Sequence, residues 1–431
     1  MTHAMTTMPK YESYKDSGVE WIGDIPEHWN IKKLKHIARI ETGTTPSTSI
    51  DNYYSGGKVL WIKPDNLNEF NLIKDTEQKL TDSGVKQSRL VPPYSSMICG
   101  IGTIGKFGYS EEYACTNQQI HSIIYNKGLC NLRYSLFLSF SLTEELKRQS
   151  EKVVVSILNK TKMGNVYVAM PPRDEQDRIV TFLDEKTVQI DEAIGIKERQ
   201  ISLLKERKQI IIQNAVTKGL NPNAPMKDSG VDWIGDIPAH WETTPNKRLF
   251  SIRKEIVGKK SSDFDLLSLT LKGIIKRDMD NPEGKFPAEF DTYQIVYKND
   301  FVFCLFDVEE TPRTIGLSQH YGMITGAYTV MQLMDSVNPE YIEQLYIVID
   351  QQKKFKSLYK GLRNTIPKDV FGCIKTPIPP RREQDEIVEF ISQKNFAFEK
   401  VFNALNQQIN NLKEYKASLI NSAVTGKIKV I

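Results

Sequence analysis

The sequence predicts an α+β chain. Two globular domains are separated by two long antiparallel coiled-coil helices, and an internal duplication gives the whole a pseudo-two-fold symmetry. Three observations predict this. The run Pro171-Pro172-Arg173-Asp174-Glu175-Gln176-Asp177-Arg178-Ile179-Val180 returns as Pro379-Pro380-Arg381-Arg382-Glu383-Gln384-Asp385-Glu386-Ile387-Val388, with two of ten positions changed. A leader at 15–29, Lys-Asp-Ser-Gly-Val-Glu-Trp-Ile-Gly-Asp-Ile-Pro-Glu-His-Trp, returns at 227–241 with thirteen of fifteen positions kept. Between leader and helix, each half carries a region whose strand-and-turn style repeats while its sequence does not. The offsets, 212 for the leader and 208 for the helix, are domain-sized and lie far above solenoid periods.

In chain order this gives a leader at 1–29, a variable domain at 30–172, a long helix at 173–220, a second leader at 221–241, a second variable domain at 242–380 and a second long helix at 381–431. Each helix follows a Pro-Pro pair, which suits a helix approach, and has Gly219 or Gly426 just past its end. Steps of four and three from Leu183 pass through Thr187, Ile190, Ile194, Lys197, Ile201, Leu204, Lys208, Ile211 and Ala215. The second copy gives Ile391, Asn395, Phe398, Phe402, Leu405, Ile409, Leu412, Lys416, Leu419 and Ala423. Mostly apolar residues at this spacing form a coiled-coil seam. At ~1.5 Å per residue, ~40 residues make a rod of ~60 Å, beyond the ~25 residues of ordinary bundle helices.

In the first variable domain, strands are expected at 58–63, 96–99 and 121–125 and a helix at 132–150. In the second, strands are expected at 264–269, 301–306 and 327–331 and a helix at 339–359.

Hydrophobic residues at 40%, charged residues at 26% and a net charge of +4 describe a soluble, mildly basic protein. The five cysteines form no Cys-x-x-Cys, so neither a disulfide framework nor a zinc ribbon is expected. The polar first fourteen residues lack an apolar signal core, and no apolar run reaches the ~18 residues of a membrane span. A cytoplasmic protein without membrane partners is the expectation.

Several motifs resemble catalytic ones and fail on chemistry. Ser17, Asp24 and His28, copied as Ser229, Asp236 and His240, lie in a Gly/Pro-shaped turn between tryptophans. A triad is defined by geometry rather than by such an order. Gly100-Ile-Gly102-Thr-Ile-Gly105 fits G-x-G-x-x-G, but Lys106-Phe107-Gly108 follows where a helix must open, and Phe107 stands where a P-loop needs a hydroxyl. A hairpin with glycine turns is the simpler reading. Val91-Pro92-Pro93-Tyr94 lacks the Asn or Asp that accepts a target amine in amino-methyltransferases. The six histidines have no metal-ligand spacing, so no metal site and no catalytic residue is assigned.

If the helices pair antiparallel, the two domains lie at opposite ends of a ~60 Å spacer. The expectation is a chain that could touch two short DNA sites across an unread gap, with a target that unlike domains would make asymmetric and bipartite. The leader and the Pro-Pro-x-x-Glu-Gln-x-x-Ile-Val helix opening resemble those of specificity subunits of type I restriction-modification systems, across nearly the whole chain. That resemblance implies two target recognition domains, each reading half of a bipartite double-stranded DNA site. It implies a coiled coil that sets spacing and docks two methyltransferase (modification) subunits, with restriction (translocase-nuclease) subunits completing the complex. It also implies that this chain has no cofactor and no catalysis of its own. Adenine methylation with S-adenosylmethionine, and ATP- and Mg-dependent cleavage, would reside in the partners. Three other readings stay open: a stand-alone DNA-binding adaptor or regulator, a nucleotide-binding enzyme built on 100–106, and a structural spacer.

Phosphate contacts need Lys, Arg, Ser, Thr or loop amides, and base reading favours Arg, Lys, Asn and Gln. In the first domain the candidates are Thr44, Thr45, Lys63, Asn66, Arg89, Lys106, Asn117, Gln118 and Gln119; residues 42–47 also resemble a Gly-Thr-Pro-Ser turn of the family. In the second they are Arg253, Lys254, Lys272, Lys276, Arg277 and Arg313. Glu175, Gln176, Glu383 and Gln384 recur at the helix starts, where charge matching and capping compete with a partner contact as their role.

Overall fold

A computed structural model describes residues 8–68, 70–152, 156–231, 233–278, 289–361 and 363–430. Residues 1–7 of the predicted leader, Asp232 of its copy, residues 279–288 of the second domain and Ile431 of the second long helix lie outside the described residues. The chain divides into two compact units, Met1–Glu198 with Asn406–Ile431, and Arg199–Leu405. Each unit therefore holds one leader, one variable domain, and one end of each long helix.

In the first unit the leader is a hairpin of β1 (Tyr14–Asp16) and β2 (Asp24–Pro26). Strand β3 (Asn30–Lys33) leads into the variable domain. One sheet has β4 (Ala38–Thr42), β11 (Ile120–Tyr125), β8 (Ser96–Cys99) and β9 (Phe107–Tyr109) in that order. The other has β6 (Lys79–Leu80), β5 (Val59–Ile62), β10 (Ala114–Thr116) and β7 (Leu90–Val91). Leu60, Ile62, Val91, Met97, Ala114 and Ile120 fill the space between the sheets. The predicted helix at 132–150 is two, Leu132–Ser141 and Thr143–Gln149, broken at Leu142. A short ladder of β12 (Glu151–Lys152) and β13 (Ser156–Ile157) follows. Strand β14 (Tyr167–Met170) then returns antiparallel to β3, so the domain begins and ends on one ribbon beside the long helix.

The second unit repeats this plan. Its leader pairs β15 (Met226–Asp228) with β16 (Asp236–Pro238). Strand β17 (Glu242–Pro245) pairs with the closing strand β26 (Lys375–Ile378). The larger sheet runs β18 (Phe250–Ile252), β25 (Thr329–Leu333), β22 (Asp300–Phe303), β23 (Ile315–Leu317), the order of its counterpart. Two ribbons, β19 (Leu267–Thr270) with β20 (Gly273–Lys276) and β21 (Gln294–Val296) with β24 (Gly322–Ile324), stand for the smaller sheet. The strands predicted at 264–269, 301–306 and 327–331 are thus shifted or shortened. The helix expected at 339–359 stops at Gln351, and a 3₁₀ turn, Lys354–Leu358, follows. The cause is Lys353, whose left-handed backbone (φ 47°) aims its ammonium at Asp350 and the carbonyls of Val308 and Thr311.

The long helices are Arg173–Lys218 and Arg381–Val424. In the first unit Lys416 Nζ donates to Asp191 at 2.7 Å and Lys197 Nζ to Gln408 Oε1 at 2.6 Å. In the second unit Lys208 reaches Glu399 at 3.3 Å. Partner numbers fall as residue numbers rise, so the pairing is antiparallel. Leu183, Ile190, Ile194, Ile391, Phe402, Ile409 and Leu419 are buried; Ile201, Leu204, Ile211, Phe398, Leu405 and Leu412 are half-buried. The three lysines of the two seams each reach across to an acceptor on the facing helix, the means by which polar seam positions fix register. Gly219 (φ 71°) and Gly426 (φ 75°) end the helices in the left-handed region, where a side chain is disfavoured.

Candidate nucleic-acid interface

The repeated Glu-Gln-Asp triplet fastens each domain to its helix. Gln176 Oε1 accepts from the Asn131 amide (2.8 Å), while its Nε2 donates to the Pro171 carbonyl (3.0 Å). Gln384 does the same with Asn338 (2.7 Å) and Pro379 (2.7 Å). Asn131 and Asn338 are the N-caps of the domain helices Leu132–Ser141 and Pro339–Gln351, and their side-chain amides donate to Asp177 and Asp385 at 2.6 Å each. Glu175 accepts from His28, Trp29 and Tyr11 of the leader, and Glu383 accepts from His240. Burial works to raise the Glu175 pKa, but these leader donors outweigh it and hold the carboxyl below its usual range.

The end of the other long helix closes the same junction. Tyr134 donates to the Val424 carbonyl, and Tyr341 to that of Val216. Gly426 packs on Trp29 and Gly219 on Trp241. The triad-like leader residues stay apart: the Ser17 hydroxyl turns to the Val19 carbonyl while His28 bonds Glu175.

In the first domain the candidate residues converge on one edge of the two sheets. The loop after β4 is tied there by Gly43 N to Ile120 O (3.1 Å) and Thr44 N to Thr116 O (2.9 Å). A Cβ at Gly43 would overlap Thr116 and the Asn117 carbonyl, so only glycine permits this approach. Thr45 donates to Gln118 across the gap, Asn117 Nδ2 to Gln119 Oε1 (2.9 Å), and Arg89 Nη1 to the Thr42 carbonyl (2.7 Å). Lys63 lies over the Trp61 ring and donates to Gln78, and its amide donates to Asn66 Oδ1.

The glycine-rich stretch after β8 is the turn of the antiparallel β8–β9 hairpin, with Gly102 (φ 82°) and Gly105 (φ 87°) left-handed. Gly100 N donates to Gln119 O, and Lys106 follows at the base of β9, so that hairpin joins the same edge. His121, which the sequence reading left without a role, lies buried beneath it. Its ring bonds the Thr42 hydroxyl (2.9 Å) and the Leu158 carbonyl (2.8 Å). Burial lowers its pKa, the Leu158 bond opposes this, and the Lys160 charge adds to it.

The second domain does not gather its candidates in one place. Lys272 and Arg313 meet at the β19–β20 turn, where Arg313 donates to the Leu271 and Ile315 carbonyls and to Glu343 (2.9 Å). Lys276, paired with Asp265, and Arg277 lie at the far end of that ribbon. Arg253 and Lys254 follow β18. Arg253 is bound to the buried Asp300 (2.6 Å) and covers the Tyr297 ring at 4.4 Å. Arg253 and Arg313 thus act first as framework cations. Among the described residues no group of three or more His, Cys, Asp or Glu is placed to hold a metal ion, and no helix is long and apolar enough to cross a membrane.

A duplicated pair of domains, each clamped to two antiparallel helices and each presenting its own polar loops, defines a modular recognition scaffold. A model of the type I restriction modification DNA specificity domain matches residues 26–206. The type I restriction enzyme MjaIX specificity subunit of Methanocaldococcus jannaschii is 30% identical over 190 residues, 43% of this chain and 43% of that one. The putative type I restriction enzyme MjaX specificity subunit of the same organism is 24% identical over 449 residues, 98% of each chain. The alignment thus spans less than half of the first relative and nearly all of the second. One solved structure, described as the structural basis of complex assembly and conformational transition of the type I R-M system, shares the fold. Its TM-score is 0.59 at 11% identity, over 93% of this chain and 98% of that chain. Residues 26–206 thus resemble the type I restriction modification DNA specificity domain, and nearly the whole chain is similar to a putative specificity subunit of that kind.

Proposed function

We propose that each variable domain reads one half of an asymmetric, bipartite double-stranded DNA site, with the paired helices as the spacer and the docking platform for two methyltransferase subunits. The chain itself supplies no chemistry. Methylation with S-adenosylmethionine, and ATP- and Mg-dependent cleavage by restriction subunits, belong to the partners.

The observation that carries this reading is that one sheet order, β4-β11-β8-β9 and β18-β25-β22-β23, recurs while the loops at its edge differ. A constant frame with unlike loops suits two unlike half-sites. In the first domain Thr44, Thr45, Lys63, Asn66, Arg89, Lys106, Gln118 and Gln119 would face DNA, with Asn117 holding Gln119. In the second, Lys254, Lys272, Lys276 and Arg277 would supply phosphate contacts, with Arg253 and Arg313 bracing the loops. Lysine and arginine give sequence-independent affinity, and amides read base edges.

The test is footprinting of the full chain with its methyltransferase partner on genomic DNA. Two short protected segments of fixed, unequal sequence around an unprotected-in-sequence gap are expected; a single continuous site, or none, contradicts the reading.

A further inference from the structure

The second domain carries an arginine that the sequence reading passed over. Arg363 lies in a turn whose ends are joined by reciprocal bonds, Lys360 N to Thr365 O (2.9 Å) and Thr365 N to Lys360 O (3.1 Å). Backbone bonds lay this turn against the segment that follows β22: Asp307 N donates to Arg363 O (2.7 Å) and Ile366 N to Leu305 O (2.8 Å). The side chains are paired as well. Arg363 Nη2 donates to Asp307 Oδ2 at 2.6 Å and Nε to Oδ1 at 3.2 Å, a two-point fork. The guanidinium lies over the Phe306 ring at 5.1 Å, and Phe306 stacks on Tyr328 with centroids 6.0 Å apart. Tyr328 ends the turn between β24 and β25, the turn that in the first domain carries Asn117, Gln118 and Gln119.

Two features separate this pair from an ordinary surface ion pair. Asp307 (φ 47°) and Asn364 (φ 42°) both hold left-handed backbone, a turn conformation that Asp and Asn accept more readily than other non-glycine residues, so the two turns that carry the pair are built for that geometry. And although fixed by two hydrogen bonds and a ring, the Arg363 side chain is 67% exposed. Asp307 takes the Nε–Nη2 edge. The other edge, Nη1 with the outer Nη2 hydrogen, faces away with no partner among the described residues.

We propose that Arg363 is a specificity-determining residue of the second domain, reading a guanine through its O6 and N7 in the major groove, and that Asp307 is the residue that positions it. This rests on the DNA-reading function proposed above. Two parallel donors match two acceptors, and guanine is the only base whose major-groove edge offers them. A phosphate also offers two acceptors. However, Asp307 already neutralises this guanidinium, and Glu309 and Glu310 lie in the same loop, paired with Lys356 (3.0 Å) and Asn364 (3.2 Å). A phosphate there gains little attraction and meets three carboxylates. A neutral base edge needs geometry rather than charge, and the fork and the ring supply geometry.

The experiment uses the full chain with its methyltransferase subunits, on duplexes carrying its site, after exchange of residues 242–380 has assigned the half-site of this domain. Each guanine of that half-site is replaced in turn by 7-deazaguanine, which lacks N7. One replacement should weaken the wild type about tenfold and leave Arg363→Ala no weaker than it already is. Arg363→Ala and Arg363→Lys should both lose roughly ten- to hundred-fold in discrimination at that one position, and Asp307→Asn should relax the same position by less. The lysine variant keeps the charge, and an unshifted melting curve shows that either variant is folded. Equal weakening on all sequences marks a phosphate contact and overturns the proposal. So does a half-site without guanine, or discrimination unchanged in folded variants. If the wild type selects no bipartite site at all, the proposed function fails instead.

Discussion

Gln176 accepts the backbone N–H of Asn131 at 2.8 Å, and the same bond recurs between Gln384 and Asn338 at 2.7 Å. Both glutamines are buried, and both amides begin a helix of the variable domain. The bond explains why the Glu-Gln-Asp triplet is repeated while the domains diverge. It ties the N-cap residue of a domain helix to the start of a long helix in the same way in both units.

Truncation of the glutamine should therefore be expensive. Gln176→Ala leaves the Asn131 amide and the Pro171 carbonyl buried without partners, at ~1–3 kcal/mol for each. A loss of ~2–6 kcal/mol is expected in unfolding of the first unit, with Gln384→Ala acting on the second. Because a two-unit chain need not unfold in one step, proteolysis with site mapping is the suitable readout. Equal loss in both units from either change would contradict the account.

The close approach of Gly43 to Thr116 and Asn117 makes a second prediction. Gly43→Ala must push the 43–47 loop off the β10–β11 turn. Affinity for the first half-site should fall roughly tenfold or more, with the second half-site still discriminated; competition binding with duplexes altered in one half at a time reads this directly.

His121 gives the first domain a pH dependence. Burial sets its folded pKa below the ordinary value of 6.5. Between the two values the unfolded chain binds the extra proton, so stability is full above about pH 6.5 and declines as pH falls towards the folded value. His121→Gln should flatten this decline in denaturant midpoints taken from pH 7.5 to 5. An unchanged slope would show that His121 is not its source.

Charge and amide residues at the proposed reading edge should separate by salt response. Lys106→Ala should weaken binding to all sequences alike and lower the slope of log K against log salt by about one. Gln118→Ala should leave the slope and relax one base position, by ~1–3 kcal/mol. Titrations at four salt concentrations on matched and mismatched duplexes distinguish the two.

The architecture was legible because duplication and seam spacing are properties of sequence alone. Two matching motifs announced two units, and the run from Leu183 to Ala215 announced a helix too long for a bundle. The hairpin at 100–106 was legible for the same kind of reason: no helix could open at Lys106-Phe107-Gly108. The junction was not. Glu175 was readable as a helix-start charge, but its bonds to Tyr11, His28 and Trp29 span more than 140 residues of chain. In the second domain, Arg253 and Arg313 were chosen for their charge, which burial against Asp300 and Glu343 commits to the framework. Arg363 was passed over because nothing in its neighbours along the chain announces Asp307, 56 residues away.

The central claim, that this chain sets a bipartite DNA specificity for its partners, is tested most directly by single-molecule sequencing of methylated adenines in host DNA with and without the gene. The account predicts that deletion removes one asymmetric, bipartite motif, and that exchanging residues 242–380 for those of a relative changes one half of it only. An unchanged methylome, with the methyltransferase partner expressed and active, would contradict it.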